Sequence, residues 1–101
     1  MRLLPRQQAA LVQSLHSIAG AEGRWAGADR LDDEALRERI AAEFGIQGGY
    51  RGSDFGYDYR GGRNPHITII VPGDAPVELS GRDLLAAVRE IFKFARPGEL
   101  F

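Results

Sequence analysis

The sequence predicts a single two-layer α+β domain in which helices cover one face of a three-stranded antiparallel sheet. Three observations carry this prediction. Apolar residues recur at helical spacing near both ends of the chain, the period changes to two at 55–60, and a β-branched run follows at 66–71. The predicted element order is α-α-β-β-β-α.

The chain length favours one domain. Its 101 residues can build one hydrophobic core but are too few for two. We therefore expect 1–101 to fold as a unit, with 1–30 as an N-terminal helix and connector. Residues 31–96 then hold the second helix, the sheet and the C-terminal helix.

The first helix is expected to start at Pro5, whose fixed backbone angle suits a first helical turn, and to end near 20–23. The connector that follows carries Trp25, which we expect to close one edge of the core. Stacking on a ligand is the alternative role for this ring. The apolar stripe of the helix consists of Leu4, Leu11, Leu15 and Ile18.

The second helix is expected to begin at Asp32 or Asp33, because a carboxylate there can cap the first free amides. Leu36, Ile40 and Phe44 recur every four residues and should share one buried face. Gly45 offers a left-handed stop.

The sheet is predicted from three segments. Residues 46–51 form a weak first strand, 55–60 alternate aromatic and polar residues, and 66–71 form a central strand. A turn at 61–65 joins the last two, and Val77 to Leu79 offers a further short edge.

The last helix is the clearest element. Ser80 and Asp83 have the spacing of a capping box, an apolar face follows, and the helix should stop before Pro97.

Composition limits the function. The 13 basic and 14 acidic residues nearly cancel, which argues against non-specific binding of duplex nucleic acid. Without cysteine, disulfides and thiolate metal sites are excluded. We expect no cofactor and no metal, since capping explains the acidic residues at 32–34.

The N-terminus turns polar too early for a signal peptide, and no apolar run reaches membrane-spanning length, so a cytoplasmic location without membrane contact is expected.

Polar side chains of the two central strands form one candidate site. If 55–60 pairs with 66–71 through the turn, Arg60 lies beside His66 and Asp58 beside Thr68. A histidine with a carboxylate and an arginine supplies a base and a cation, the minimum for metal-independent RNA cleavage by His66, Asp58 and Arg60. A solvated outer face of the sheet predicts the same pattern.

Aromatic and arginine residues between 50 and 66 suggest binding instead, to unpaired RNA or to a protein. Alternation puts the aromatic rings of 55–59 on one face, so they are either core or an exposed platform. The helices need a sheet to cover, which favours core. The candidate binding residues are Arg51, Tyr57, Tyr59, Arg60, Arg63 and His66.

From Leu36 to Phe92 the chain resembles the HicA-type mRNA interferase toxins. The matching segments are Arg51-Gly52-Ser53, the aromatic strand 55–59, the run 67–72 and Glu78-Leu79 before the last helix. The resemblance implies a double-stranded-RNA-binding-like α-β-β-β-α fold. That family carries its catalytic histidine just after the Gly-Ser, where this chain has Asp54 and Phe55, so the resemblance extends to the fold and not to the cleavage residue.

Three functions follow as hypotheses. The leading one is a small non-enzymatic binding or regulatory module that acts on nucleic acid or on a nucleic-acid-handling protein. The alternatives are a toxin-type ribonuclease using His66, and a protein-binding inhibitor or immunity-type factor from a mobile element. A homodimer through the C-terminal segment is a further prediction, because Phe94, Leu100 and Phe101 lie near the chain end.

Overall fold

The computed structural model describes residues 3–19 and 25–94. Within these ranges, three α-helices and a short 3₁₀ helix accompany a four-stranded antiparallel sheet. In chain order the elements are α1 (Pro5–Ala19), the 3₁₀ helix (Ala28–Arg30), α2 (Asp33–Gln47), β1 (Gly49–Arg51), β2 (Gly56–Arg60), β3 (His66–Ile70), β4 (Val77–Ser80) and α3 (Gly81–Phe94).

The α+β class is confirmed, but the prediction of three strands is wrong. The sheet is a meander in the order β1-β2-β3-β4, and the observed element order is α-3₁₀-α-β-β-β-β-α. The fourth strand is short, and its Leu79 is buried opposite Ile67 of β3. A four-residue strand at an edge has too few alternations to separate it from a loop by sequence pattern alone.

The predicted pairing of the two central strands is confirmed. Asp58 lies opposite Thr68, and Arg60 lies opposite His66. The connecting turn is closed by a hydrogen bond of 2.9 Å from the Asn64 amide to the Gly61 carbonyl.

Helix α2 begins as predicted and ends later than predicted. The Asp32 carboxylate accepts a 2.8 Å hydrogen bond from the Ala35 amide. Gly45 does not stop the helix, which continues to Gln47. Gly48 takes a positive φ of 80°, which favours glycine, and its amide donates to the Phe44 carbonyl at 2.8 Å. The Gly48 carbonyl also accepts from the Tyr59 amide at 3.1 Å, so the glycine that ends the helix is also bonded to β2 directly before β1 begins.

The core lies between the helices and one face of the sheet. Trp25 is fully buried and its indole N–H donates to the Leu15 carbonyl at 3.1 Å, which confirms its place in the core. Leu11 and Leu15 are also fully buried, whereas Leu4 is 56% exposed because it precedes the first helical turn. The Ile18 side chain lies outside the described part of the structure.

Helix α3 supplies the other large apolar surface. It begins at Gly81, directly after Ser80, and its buried side chains are Leu84, Leu85, Val88, Ile91 and Phe92. Phe94 is exposed near the end of the helix, and Leu100 and Phe101 lie outside the described residues. Over the described ranges, no helix combines the length and the apolar character needed to cross a membrane.

Candidate functional site: the open face of the sheet

The two faces of the sheet differ in composition. The covered face packs against the helices and carries Tyr50, Tyr57, Tyr59, Ile67, Ile69, Val77 and Leu79. The open face points the other way and carries Gly49, Arg51, Gly56, Asp58, Arg60, His66, Thr68, Ile70, Glu78 and Ser80. All the predicted catalytic residues lie on the open face.

Strand register arranges the open face in rows across the sheet. Asp58, Thr68 and Glu78 form the middle row, one residue from each of β2, β3 and β4. Arg60 and His66 lead the next row, which ends at Ser80. Carboxylates and cations therefore alternate over the face rather than separating into two patches.

An ion pair joins the first two strands. The Arg51 guanidinium lies 2.8 Å from the Asp58 carboxylate, and both side chains are about half exposed or more. Arg51 reaches Asp58 by crossing Gly56, where a Cβ would stand 3.6 Å from the Arg51 Cδ and 2.9 Å from the Tyr50 carbonyl oxygen. Glycine at 56 thus allows β1 to approach closely and the Arg51 side chain to lie along the sheet surface.

A second cluster of polar side chains joins β2, β3 and β4. One carboxylate oxygen of Glu78 lies 3.7 Å from the Arg60 guanidinium and 3.7 Å from the His66 Nε2. The distance to Arg60 suits a loose ion pair, and both distances are too long for hydrogen bonds. Glu78 was not among the predicted site residues, although the apolar–polar alternation of 77–80 places it on this face.

The predicted catalytic trio comes together only in part. His66 and Arg60 are neighbours, but Asp58 binds Arg51 one row away, and Glu78 is the carboxylate beside the histidine. The His66 Nε2 has almost no exposed surface and no hydrogen-bond partner among the described residues. A general base must reach the proton that it removes, and this nitrogen is shielded from a substrate on the open face.

The aromatic residues form core rather than a platform. Tyr57 is fully buried and Tyr59 is partly buried, both against Phe44 of α2, with ring centroids at 5.4 Å and 6.2 Å. Because it is fully buried, the Tyr57 ring cannot stack on bases. The predicted binding residues thus divide between the faces, with Arg51, Arg60 and His66 on the open one.

Burial also changes the chemistry of these two phenols. Burial, and secondarily the neighbouring Tyr50 phenol, raises the pKa of Tyr57 above its ordinary value. Burial alone raises the pKa of Tyr59. The Tyr59 hydroxyl donates a 2.5 Å hydrogen bond to the Gly62 carbonyl, whereas the Tyr57 hydroxyl has no partner among the described residues.

The remaining predicted binding residue, Arg63, is exposed in the turn between β2 and β3. A shallow depression of about 550 Å³ occupies the middle of the open face, lined in part by Asp58, Thr68 and Glu78. In the described ranges, no group of three or more histidine, acidic or cysteine side chains is placed to hold a metal ion.

Comparison with known proteins adds no family to this description. No protein-family model matches the chain, and no curated protein and no solved structure matches it either. The resemblance to the HicA-type toxins thus stays a prediction. In the structure Gly52 and Ser53 lie in the exposed β1–β2 loop, and Asp54 after them is exposed.

Proposed function

We propose that this chain is a small non-enzymatic binding module whose open face docks a partner protein. The observation that carries the proposal is the accessible, charged face spread over four strands, opposite a face that is occupied by the core. A regulatory role on a protein that handles nucleic acid is the specific form that we favour.

The charge pattern supports a protein rather than a nucleic acid as the direct partner. Two arginines and two carboxylates on the face cancel, and each arginine already has an acidic neighbour. Nucleic-acid binding relies on cations that are free to neutralise phosphates, and a phosphate here would compete with Asp58 and Glu78. A protein surface with its own mixture of charges can match this face without that competition, and such matching favours specificity.

The geometry of His66 supports a non-enzymatic role. Its Nε2 is shielded, and the carboxylate nearest to it is also shared with Arg60. A ribonuclease remains the second candidate because of one observation, the placement of a histidine and an arginine around the same Glu78 oxygen.

Affinity capture from the host's lysate, with and without nuclease treatment, tests the class of partner. The proposal predicts a defined protein that is retained in equal amount after nuclease treatment and that binds the purified chain directly. Retention that disappears with nuclease would overturn it in favour of nucleic acid.

RNA turnover by the purified chain tests the second candidate. The proposal predicts no cleavage above the level of the His66→Ala variant. Cleavage by the wild type that is lost in a folded His66→Ala protein would establish the ribonuclease.

A further inference from the structure

The hydrogen bonds between β1 and β2 determine which main-chain groups of β1 point outward at its free edge. The Tyr59 amide donates to Gly48 at 3.1 Å and the Gly52 amide donates to Phe55 at 3.0 Å. Main-chain groups alternate in direction along an antiparallel strand, so Tyr50 also points its N–H and C=O toward β2. Gly49 and Arg51 therefore point theirs away from the sheet. β1 is the first strand in the sheet order, and no strand of the described residues pairs with this edge.

We propose that two copies of the chain associate through this edge, with β1 antiparallel to β1 about a two-fold axis at Tyr50. In this register Gly49 lies opposite Arg51 of the second copy. Both residues have outward main-chain groups, so they exchange two hydrogen bonds, and the symmetric pair exchanges two more. The edge is complementary to itself, and the two four-stranded sheets become one continuous sheet.

The side chains on the covered face fit the same register. Tyr50 would form the non-hydrogen-bonded pair at the axis, where facing side chains are closest. In the single chain its ring is 41% exposed, although it packs at 5.1 Å from Phe55 and 6.2 Å from Tyr57. Pairing with Tyr50 of the second copy would cover the exposed part of a ring that is already held in place.

The side chains on the open face are also complementary. Gly49 has no side chain, so nothing stands between Arg51 of the second copy and Asp58 of the first, which is the next residue in that row. Each Arg51 can then bind the Asp58 of either copy. The two ion pairs of the separate chains become a group of four charges at the join.

The helices leave room for the join. An axis perpendicular to the sheet keeps both helical layers on the same side and joins the two open faces. Helix α2 packs on β2, so the two copies of α2 would be separated by three strand spacings, about 14 Å. Packed helices need only about 8–10 Å, so the two copies of α2 do not collide.

Single cysteines test this register, because the chain has no cysteine of its own. Tyr50→Cys would place two thiols across the axis at a separation that suits a disulfide. Arg51→Cys is the matched control, since its two copies would be offset by two residues and roughly 8 Å apart at Cα, beyond disulfide reach. We expect Tyr50→Cys to form covalent dimers at least about tenfold faster under the same oxidant, since only its geometry permits the bond.

Sedimentation of the cysteine-free chain gives an independent test. We expect a dimer whose fraction rises with concentration, which Tyr50→Asp converts to monomer because like charges meet at the axis. Phe94→Asp should leave the dimer intact, which separates this edge from the predicted C-terminal contact. A chain that stays monomeric, equal cross-linking rates for both cysteines, or a dimer lost only in Phe94→Asp would each overturn the proposal.

Discussion

Ile69 and Ile70 are adjacent residues of the same type in β3, yet they belong to different environments. Ile69 is 1% exposed and lies in the core, whereas Ile70 is partly exposed on the open face. The pleat of the strand alone separates them. One face of this sheet therefore packs into the core, and the other presents charged side chains to the solvent.

The interactions on the two faces have different strengths. Apolar burial on the covered face removes large side chains from water, and each contributes on the order of 2 kcal/mol to stability. The ion pairs on the open face are exposed to solvent, where such pairs contribute about 0–1 kcal/mol. Charges that contribute so little to folding can be selected for recognition.

Truncation of both isoleucines tests whether the two faces differ in their contribution to stability. We expect Ile69→Ala to lower the free energy of unfolding by about 2–5 kcal/mol, because it leaves a cavity in the core. Ile70→Ala should cost less than about 1.5 kcal/mol, because the site is partly solvated and can relax. Urea denaturation of the two variants measures both values, and equal losses would show that the open face is also a packed interior.

Substitutions of Gly56 and Gly45 test how closely the backbone is packed in the sheet and in α2. In Gly56→Ala the new methyl would stand 2.9 Å from the Tyr50 carbonyl oxygen, so β1 must shift. We expect a loss of about 1–3 kcal/mol, as for other overpacked sites. Gly45→Ala is the control, because its position in α2 has open space and alanine favours a helix, so a gain of up to about 1 kcal/mol is expected. Denaturation midpoints decide the sign of each change.

The two tyrosines of β2 differ in their hydroxyl groups. Tyr59→Phe removes the hydrogen bond to Gly62 and should cost about 0.5–1.5 kcal/mol. Tyr57→Phe removes a buried hydroxyl without a partner in the described residues, and we expect no loss or a small gain. Thermal unfolding of both variants compares them directly, and a larger loss for Tyr57→Phe would reveal a hydrogen bond to the rest of the chain.

The raised phenol pKa values predict a dependence on alkaline pH. A tyrosine with a higher pKa in the folded state holds its proton more tightly there than in the unfolded chain. Stability is then complete below the ordinary tyrosine pKa of about 10 and falls as the pH rises through the higher folded value. Urea unfolding at pH 9 and at pH 11 should show this fall, and Tyr57→Phe should reduce it.

The smallest effect is expected for the ion pair on the open face. A double-mutant cycle on Arg51→Ala and Asp58→Ala should give a coupling of about 0.2–1 kcal/mol, which added salt reduces. A coupling several times larger would mean that the open face also contributes substantially to the fold.

Much of the fold could be predicted because its signals are local. The cap at Asp32, the buried face of α2 and the pairing of 55–60 with 66–71 follow from spacing and alternation. The end of α2 could not be placed, because Gly45 and Gly48 both fit a helix stop. The choice of Gly48 as the end of α2 depends on the sheet, because the Tyr59 amide of β2 donates to the Gly48 carbonyl.

The candidate site was predictable to a smaller extent. Alternation placed Asp58, Arg60 and His66 on one face, but not the partner that each would choose. Asp58 binds Arg51 because Gly56 has no side chain between them. Glu78 reaches His66 from β4, a strand too short for its pairing to be predicted from its sequence. Contacts of this kind depend on which strands are neighbours and on where glycine leaves space between them. Neither can be deduced from a single segment of the sequence.

Charge reversal on the open face tests whether that face binds the partner. One double variant combines Arg51→Glu and Arg60→Glu on the open face. The control double variant combines Arg30→Glu and Arg82→Glu, two exposed arginines on helices, and has the same change in net charge. Binding of the captured partner to each purified variant is measured by titration. We expect the open-face variant to lose at least about tenfold in affinity, or 1.4 kcal/mol, and the control to bind as the wild type does. Equal affinities for the two variants would show that the open face does not bind the partner.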